Sequence, residues 1–157
     1  ESPMTIQIRY VHTNLIAKDW KKLSEFYIQV FGCTPVYPER DMKGNWLDRG
    51  TGIKDVHVRG MHLRLPGWGD DGPTLEIFQY NRQPESDSRS VNSPGFGHIA
   101  FSVGDVRNIA DRVLNSGGSL LGEIVTTEIQ DVGPITWVYM RDPERNIIEL
   151  QHRGRAG

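Results

Sequence analysis

The 157-residue chain has a single cysteine, Cys33. One thiol excludes an intrachain disulfide framework and fits a reducing compartment, so a cytoplasmic protein held together by packing is expected. No apolar run approaches the roughly 20 residues needed to span a bilayer, and ESPM at the start lacks the hydrophobic core of a signal peptide. An excess of either charge is also missing: 18 basic residues face 20 acidic ones, giving a net charge of −2, and neither sign forms a long block. The chain therefore lacks the basic surface of a nucleic-acid or anionic-membrane binder, and small-molecule partners are expected instead.

What the sequence does contain is a repeat. HTNLIAKDWKKLSEFYIQVFG at 12–32 and HIAFSVGDVRNIADRVLNSGG at 98–118 align without a gap at a shift of 86 residues. His12 then meets His98, Asp19 meets Asp105, Leu23 meets Ile109 and Gly32 meets Gly118. Asp19 and Asp105 are N-cap residues, whose carboxylates accept free N–H groups of a first helical turn, and Gly32 and Gly118 close the helices. Leu23, Phe26, Tyr27, Val30 and Phe31 recur at three- and four-residue spacing, as do Val106, Ile109, Ala110, Val113 and Leu114. Each set is an apolar core stripe with no chemistry assigned.

Short alternating runs follow each helix, as antiparallel strands require. In the first half these are DVHVRGMHLRL and TLEIFQY. In the second they are 121–125, 136–140 and NIIELQH, the last two separated by the turn RDPERN. NRQPESDSRSVNSP at 81–94 is polar, proline-flanked and aperiodic, which makes it the linker between module one at 6–80 and module two at 95–152, all within one domain.

Two features of these strands carry chemistry. In GFGHIAFSV, His98 lies on the face opposite Ile99 and Phe101, beside Phe96 and Ala100. In TLEIFQY and NIIELQH, Glu76 and Glu149 lie opposite their aliphatic neighbours. Either glutamate alone is equally well a solvent-facing residue paired with an arginine. Glu76 and Glu149 are 73 apart rather than 86, so the first half holds 13 extra residues, placed in the loops GNWLDRGTG and PGWGDDGP. If a pseudo-twofold axis relates the halves, His12, Glu76, His98 and Glu149 converge on one point. Two imidazoles and two carboxylates form a mixed N/O donor set that neutralises one divalent cation. Completed by two waters, it suits Ni, Co, Mn or Fe, and Zn less typically.

The paired modules, with HTNLIAKDWKKLSEFYIQVFG, TLEIFQY, GFGHIAFSV and MRDPERNIIELQH, resemble the vicinal oxygen chelate superfamily. Its members include glyoxalase I, methylmalonyl-CoA epimerase, extradiol dioxygenases and the bleomycin and fosfomycin resistance proteins. The resemblance implies an α+β fold in which two tandem βαβββ modules form an incomplete barrel, with helices outside and a divalent metal in the cup. His12, Glu76, His98 and Glu149 fall on the four ligand positions. A carboxylate at Glu76 implies the glyoxalase and epimerase side, since the corresponding dioxygenase position is not a ligand. The activity implied is a metal-dependent isomerase or lyase, in which a small molecule chelates through two vicinal oxygens and loses a proton next to a carbonyl. Glu149 is the implied base and Glu76 the second candidate. The alternatives are a non-haem iron dioxygenase and a non-catalytic drug-binding protein. Where bacterial glyoxalase I carries an arginine and an asparagine for glutathione, this chain has Ile16 and Tyr80, so glutathione itself is not implied. Homodimers are common in the superfamily and one is expected here.

Trp46, Trp68, Phe96, Trp137 and Tyr139 are candidates for the pocket wall, and PGWGDDGP has the glycines of a lid. His57 and His62 are five residues apart and so on opposite strand faces, which bars them from sharing a site. His152 lies on the face opposite Glu149, away from a ligand role.

Overall fold

The computed structural model describes residues 6–154; the ESPM start lies outside them. Among the described residues the chain is α+β, with two sheets and three helices. It divides into two compact units. One holds the chain up to Ser24 and Phe31–Arg82; the other holds Glu25–Val30 and the chain from Gln83 onward. No helix of the described residues is long and apolar enough to cross a membrane, which says nothing of membrane-spanning strands.

The first unit runs β1 (His12–Ile16), the two ends of α1 (Trp20–Phe31, whose Glu25–Val30 belongs to the other unit), β2 (Thr34–Lys43), α2 (Asn45–Thr51), β3 (His57–Arg64) and β4 (Thr74–Tyr80). Its sheet has the order β1-β4-β3-β2, with β1 parallel to β4 and the other pairs antiparallel. α1 starts as the capping residue requires: an Asp19 carboxylate oxygen accepts the Lys22 N–H at 3.1 Å. Gly32 ends it at φ 73°, a left-handed conformation that costs glycine little. The stripe residues Leu23, Phe26, Tyr27 and Val30 are buried, as are Met61, Leu63, Leu75 and Ile77 of β3 and β4.

The second unit runs β5 (Ile99–Ser102), α3 (Val106–Asn115), β6 (Ser119–Leu120), β7 (Val125–Ile129), β8 (Gly133–Arg141) and β9 (Ile147–Arg153). Its sheet has the order β5-β9-β8-β6, and β7 also pairs with β8. Asp105 caps α3 by accepting the Asn108 N–H at 3.0 Å. The other end differs from expectation. The left-handed residue is Gly117 at φ 96°, whereas Gly118 donates to the Val113 carbonyl at 2.9 Å. A Cβ on Gly118 would lie 2.5 Å from Val113 Cγ1 and 2.6 Å from the Arg141 carbonyl, so close approach is what demands glycine there. Val106, Ala110 and Val113 are buried, but Leu114 of the expected stripe is exposed.

Two further expectations are corrected. GNWLDRGTG is not all loop, because α2 forms within it. Gly44 O accepts the Leu47 and Asp48 N–H groups, Gly52 at φ 75° closes the helix, and Asp48 then accepts the Asp55 and Val56 N–H groups at 2.9 and 3.1 Å. The glycines that read as loop punctuation are its boundaries. The strand expected at 121–125 is also absent. Leu121 and Gly122 both donate to the Tyr139 carbonyl, a two-against-one pairing that interrupts the edge strand and leaves β6 and β7 on either side. The matching edge strand β2 is interrupted too, by a register shift between Val36 and Arg40 around Pro38, where proline has no N–H to offer the ladder.

The RDPERN turn is fastened by a buried carboxyl. Asp142 accepts the Tyr27 hydroxyl at 2.7 Å, the Asn146 side-chain amide at 2.9 Å, and the backbone N–H groups of Glu144 and Asn146 at 2.8 and 3.0 Å. Burial nevertheless pushes Asp142 above the usual carboxylate range, with these bonds opposing. The guanidinium of Arg141 donates to the Arg89 carbonyl at 2.8 Å and so ties the 81–94 segment to this unit.

Candidate metal centre

The register is the same in both sheets where the chemistry sits. Glu76 on β4 pairs with Asn14 on parallel β1, and Glu149 on β9 pairs with Ala100 on parallel β5. Asn14 and Ala100 are themselves related by the 86-residue shift. Leu75, Ile77, Ile148 and Leu150 are buried on the opposite faces, so each glutamate side chain must emerge on the other side of its sheet. Both are 13% exposed.

In the first unit three ligand-type residues meet. His12 Nε2 is 3.4 Å from Glu76 Oε1 and His62 Nε2 is 2.8 Å from Glu76 Oε2. The two imidazole rings stand edge to face, with centroids 5.3 Å apart. Among the described residues His12, His62 and Glu76 form the group of three whose ligand atoms all lie within 4.8 Å of one another. Two neighbours hold the group in place: the Asn14 amide donates to Glu76 Oε1 at 2.9 Å, and His62 Nδ1 is 2.8 Å from the hydroxyl of buried Thr74. Burial pushes His62 below the ordinary imidazole range, against the pull of the Glu76 charge, and so favours the neutral ring that a metal requires.

In the second unit His98 Nε2 is 3.1 Å from Glu149 Oε1, and the Gln151 amide donates to Glu149 Oε2 at 2.8 Å. Tyr139 packs on His98 with centroids 4.9 Å apart, and Trp137 packs edge-on against Tyr139 at 5.2 Å. Neutral imidazole nitrogens and carboxylate oxygens within about 3 Å of each other fit a divalent transition-metal ion, and amide and hydroxyl partners of this kind orient such ligands.

The other wall candidates stand apart from these clusters in character. Trp46 on α2 is 56% exposed, Trp68 in the β3–β4 turn 72%, and Phe96 just before β5 99%. His57 lies on the other face of β3 from His62, hydrogen-bonded to Asp41, and Arg59 reaches the same carboxylate at 3.7 Å. The His57 hydrogen bond holds Asp41 below its usual range. His152 Nδ1 is 2.9 Å from the Val103 carbonyl.

His62 is the residue that sequence reasoning missed. Strand parity puts it on the same side as the Glu76 position only once β3 and β4 are known to pair in the register His62↔Glu76. That register depends on how PGWGDDGP turns. The signal available was the hairpin itself: two alternating strands joined by a Gly- and Pro-rich loop, with a histidine on one and a glutamate on the other.

Comparison with known proteins shows the family of the chain. The model of the Glyoxalase/Bleomycin resistance protein/Dioxygenase superfamily matches residues 9–150. A probable lactoylglutathione lyase of Vibrio cholerae is 27% identical over 150 residues, covering 94% of this chain and 93% of that protein. A glyoxalase family protein from Bacillus cereus has the same fold, with a TM-score of 0.81, 19% identity and full coverage of both chains. The fosfomycin resistance protein FosX of Listeria monocytogenes, solved as a variant with Mn(II) and a dihydroxypropylphosphonic acid, aligns at a TM-score of 0.53 and 17% identity over 93% of each chain. With a family match spanning nearly the whole chain and the His–Glu pairs repeated in one register, this protein belongs to the Glyoxalase/Bleomycin resistance protein/Dioxygenase superfamily.

Proposed function

We propose that the protein is a metal-dependent isomerase or lyase of the glyoxalase I and epimerase type, with His12, Glu76, His98 and Glu149 as ligands of one divalent ion. The observation that carries this reading is the repeated His–Glu pair, 3.4 Å in one unit and 3.1 Å in the other, in the same strand register. A bound cation supplies Lewis acidity that draws electrons from two vicinal oxygens of the substrate and acidifies the adjacent C–H. Glu149 takes that proton, its second oxygen held by Gln151, and returns it to the neighbouring carbon or oxygen; Glu76 is the second candidate base. Trp137 and Tyr139 form an apolar wall beside His98 that favours an uncharged or aromatic substituent on the substrate. With Ile16 and Tyr80 at the positions expected to read glutathione, the substrate is a small 2-oxo or acyl compound rather than a glutathione hemithioacetal. The reading includes modules at 6–80 and 95–152 joined by 81–94, a cytoplasmic location, and assembly as a homodimer.

The test begins with metal content. Purified protein is expected to retain about one divalent ion per site, lost in Glu76→Ala and held more weakly in His98→Ala. Solvent deuterium exchange into a panel of 2-oxo and acyl-thioester compounds should then occur with wild type and cease in Glu149→Gln. Iron retained in Glu76→Ala, with oxygen uptake on catechols, would establish a dioxygenase instead. Absence of metal from every form would leave a binding protein.

A further inference from the structure

We infer that His62 is a metal ligand, so that the first unit holds a divalent ion through a triad of its own, His12, His62 and Glu76. The inference rests on the proposed metal site and adds to it a third imidazole with no counterpart in the second unit. Tyr139 takes the equivalent register position there, opposite Glu149 as His62 is opposite Glu76.

The geometry suits coordination. Ligands at about 2.1 Å from a metal and at right angles to each other are about 3 Å apart. The His12–Glu76 and His62–Glu76 separations are 3.4 and 2.8 Å, each to a different carboxylate oxygen. The edge-to-face rings let both Nε2 atoms approach one point without stacking. The far side of His62 is also prepared. When Nε2 donates to Glu76, Nδ1 accepts the Thr74 hydroxyl; when Nε2 gives its lone pair to a metal, Nδ1 carries the proton and Thr74 Oγ1 accepts it at the same 2.8 Å. A hydroxyl serves both tautomers, because it donates or accepts by rotation. Two imidazoles and one carboxylate make a mixed N/O donor set that would suit a divalent transition-metal ion. On this account unit one holds an ion through its own three side chains, with measurable affinity in the absence of the His98–Glu149 pair.

Cobalt(II) is the probe. Its binding to the full-length protein is followed by calorimetry, and its ligands are counted from hyperfine-shifted imidazole N–H signals in proton NMR. Wild type should show three such signals, one of them slow to exchange because Thr74 shields the His62 Nδ1–H. His62→Gln should remove that signal and weaken binding tenfold or more. The double variant His98→Ala/Glu149→Gln should keep measurable affinity, lost when His62→Gln is added. Two signals in wild type, neither of them the slowly exchanging one, would overturn the inference even if His62→Gln lowered affinity, because a hydrogen-bond partner of Glu76 lacks the large contact shift of a coordinated imidazole. That outcome leaves the four-ligand reading standing, whereas no cobalt binding by wild type overturns both. Counting signals in wild type needs no variant to fold.

Discussion

His62 and Tyr139 occupy equivalent places in the two sheets, the first opposite Glu76 on β3–β4 and the second opposite Glu149 on β8–β9. One module carries an imidazole where the other carries a phenol ring, and the phenol packs against His98 rather than opposite a second histidine. Tyr139 therefore orients His98 by its ring. Tyr139→Phe is expected to leave divalent-metal affinity unchanged, while Tyr139→Ala frees the imidazole and lowers affinity about tenfold. Calorimetric titration with cobalt(II) checks both; equal losses in the two variants would assign the effect to the hydroxyl.

At Gly60 on β3 there is no room for a side chain against β4. A Cβ there would sit 2.0 Å from the Ile77 carbonyl oxygen and 2.7 Å from the Phe78 ring, which itself packs edge-on to His62 at 6.2 Å. Backbone cannot yield as a flexible side chain can, so Gly60→Ala should destabilise the protein by about 3 kcal/mol, at the upper end of overpacking costs. Urea unfolding measures it, and a change below about 0.5 kcal/mol would contradict the β3–β4 packing.

Asp142 makes stability depend on pH in an unusual direction. Burial raises its folded value above 3.8, so its proton is bound more tightly in the folded chain than in the unfolded one. The stability it contributes is full below the ordinary carboxylate value and is lost as pH rises through the raised folded value. Relative to Asp142→Asn, wild type should lose unfolding free energy as pH climbs through that window, read from urea titrations of both proteins. Parallel curves would show that folding does not shift the carboxyl.

Removing one of the bonds that oppose this shift should enlarge it. Tyr27→Phe removes the phenol donor from Asp142 Oδ2 and leaves it the Asn146 amide, which should cost about 1–3 kcal/mol of stability at neutral pH. The same pH titration should show the window displaced upward, and an unshifted window would mean that the phenol does not bear on the carboxyl.

Cys33 is buried, and burial pushes its thiol up to about 12. Thiolate is the reactive form, so at about pH 8 the native protein should resist an aromatic disulfide reagent, and denaturant should release one thiol per chain. Rapid labelling of native protein would place Cys33 at the surface.

The sequence by itself determined the repeat, the two capping aspartates, and the face on which Glu76 and Glu149 emerge. These depend on local physics: a carboxylate beside free N–H groups, and a two-residue period that cannot put Leu75, Ile77 and Glu76 on one side of a strand. It also located the 13 extra residues of the first half, although not their form. His12 to His62 spans 50 residues against 41 from His98 to Tyr139, so nine of them precede β3 and contribute to α2, and the other four lengthen the β3–β4 turn. Gly44 and Gly52 read as loop because the same residue type ends a helix and permits a turn; only the Asp48 carboxylate, receiving N–H groups seven and eight residues onward, made the helix the better outcome. The partnership of His62 with Glu76 belongs to tertiary structure alone. Parity says which face a side chain takes, but its partner across the sheet depends on the register, and a hairpin's register is set by the closure of its turn rather than by either strand.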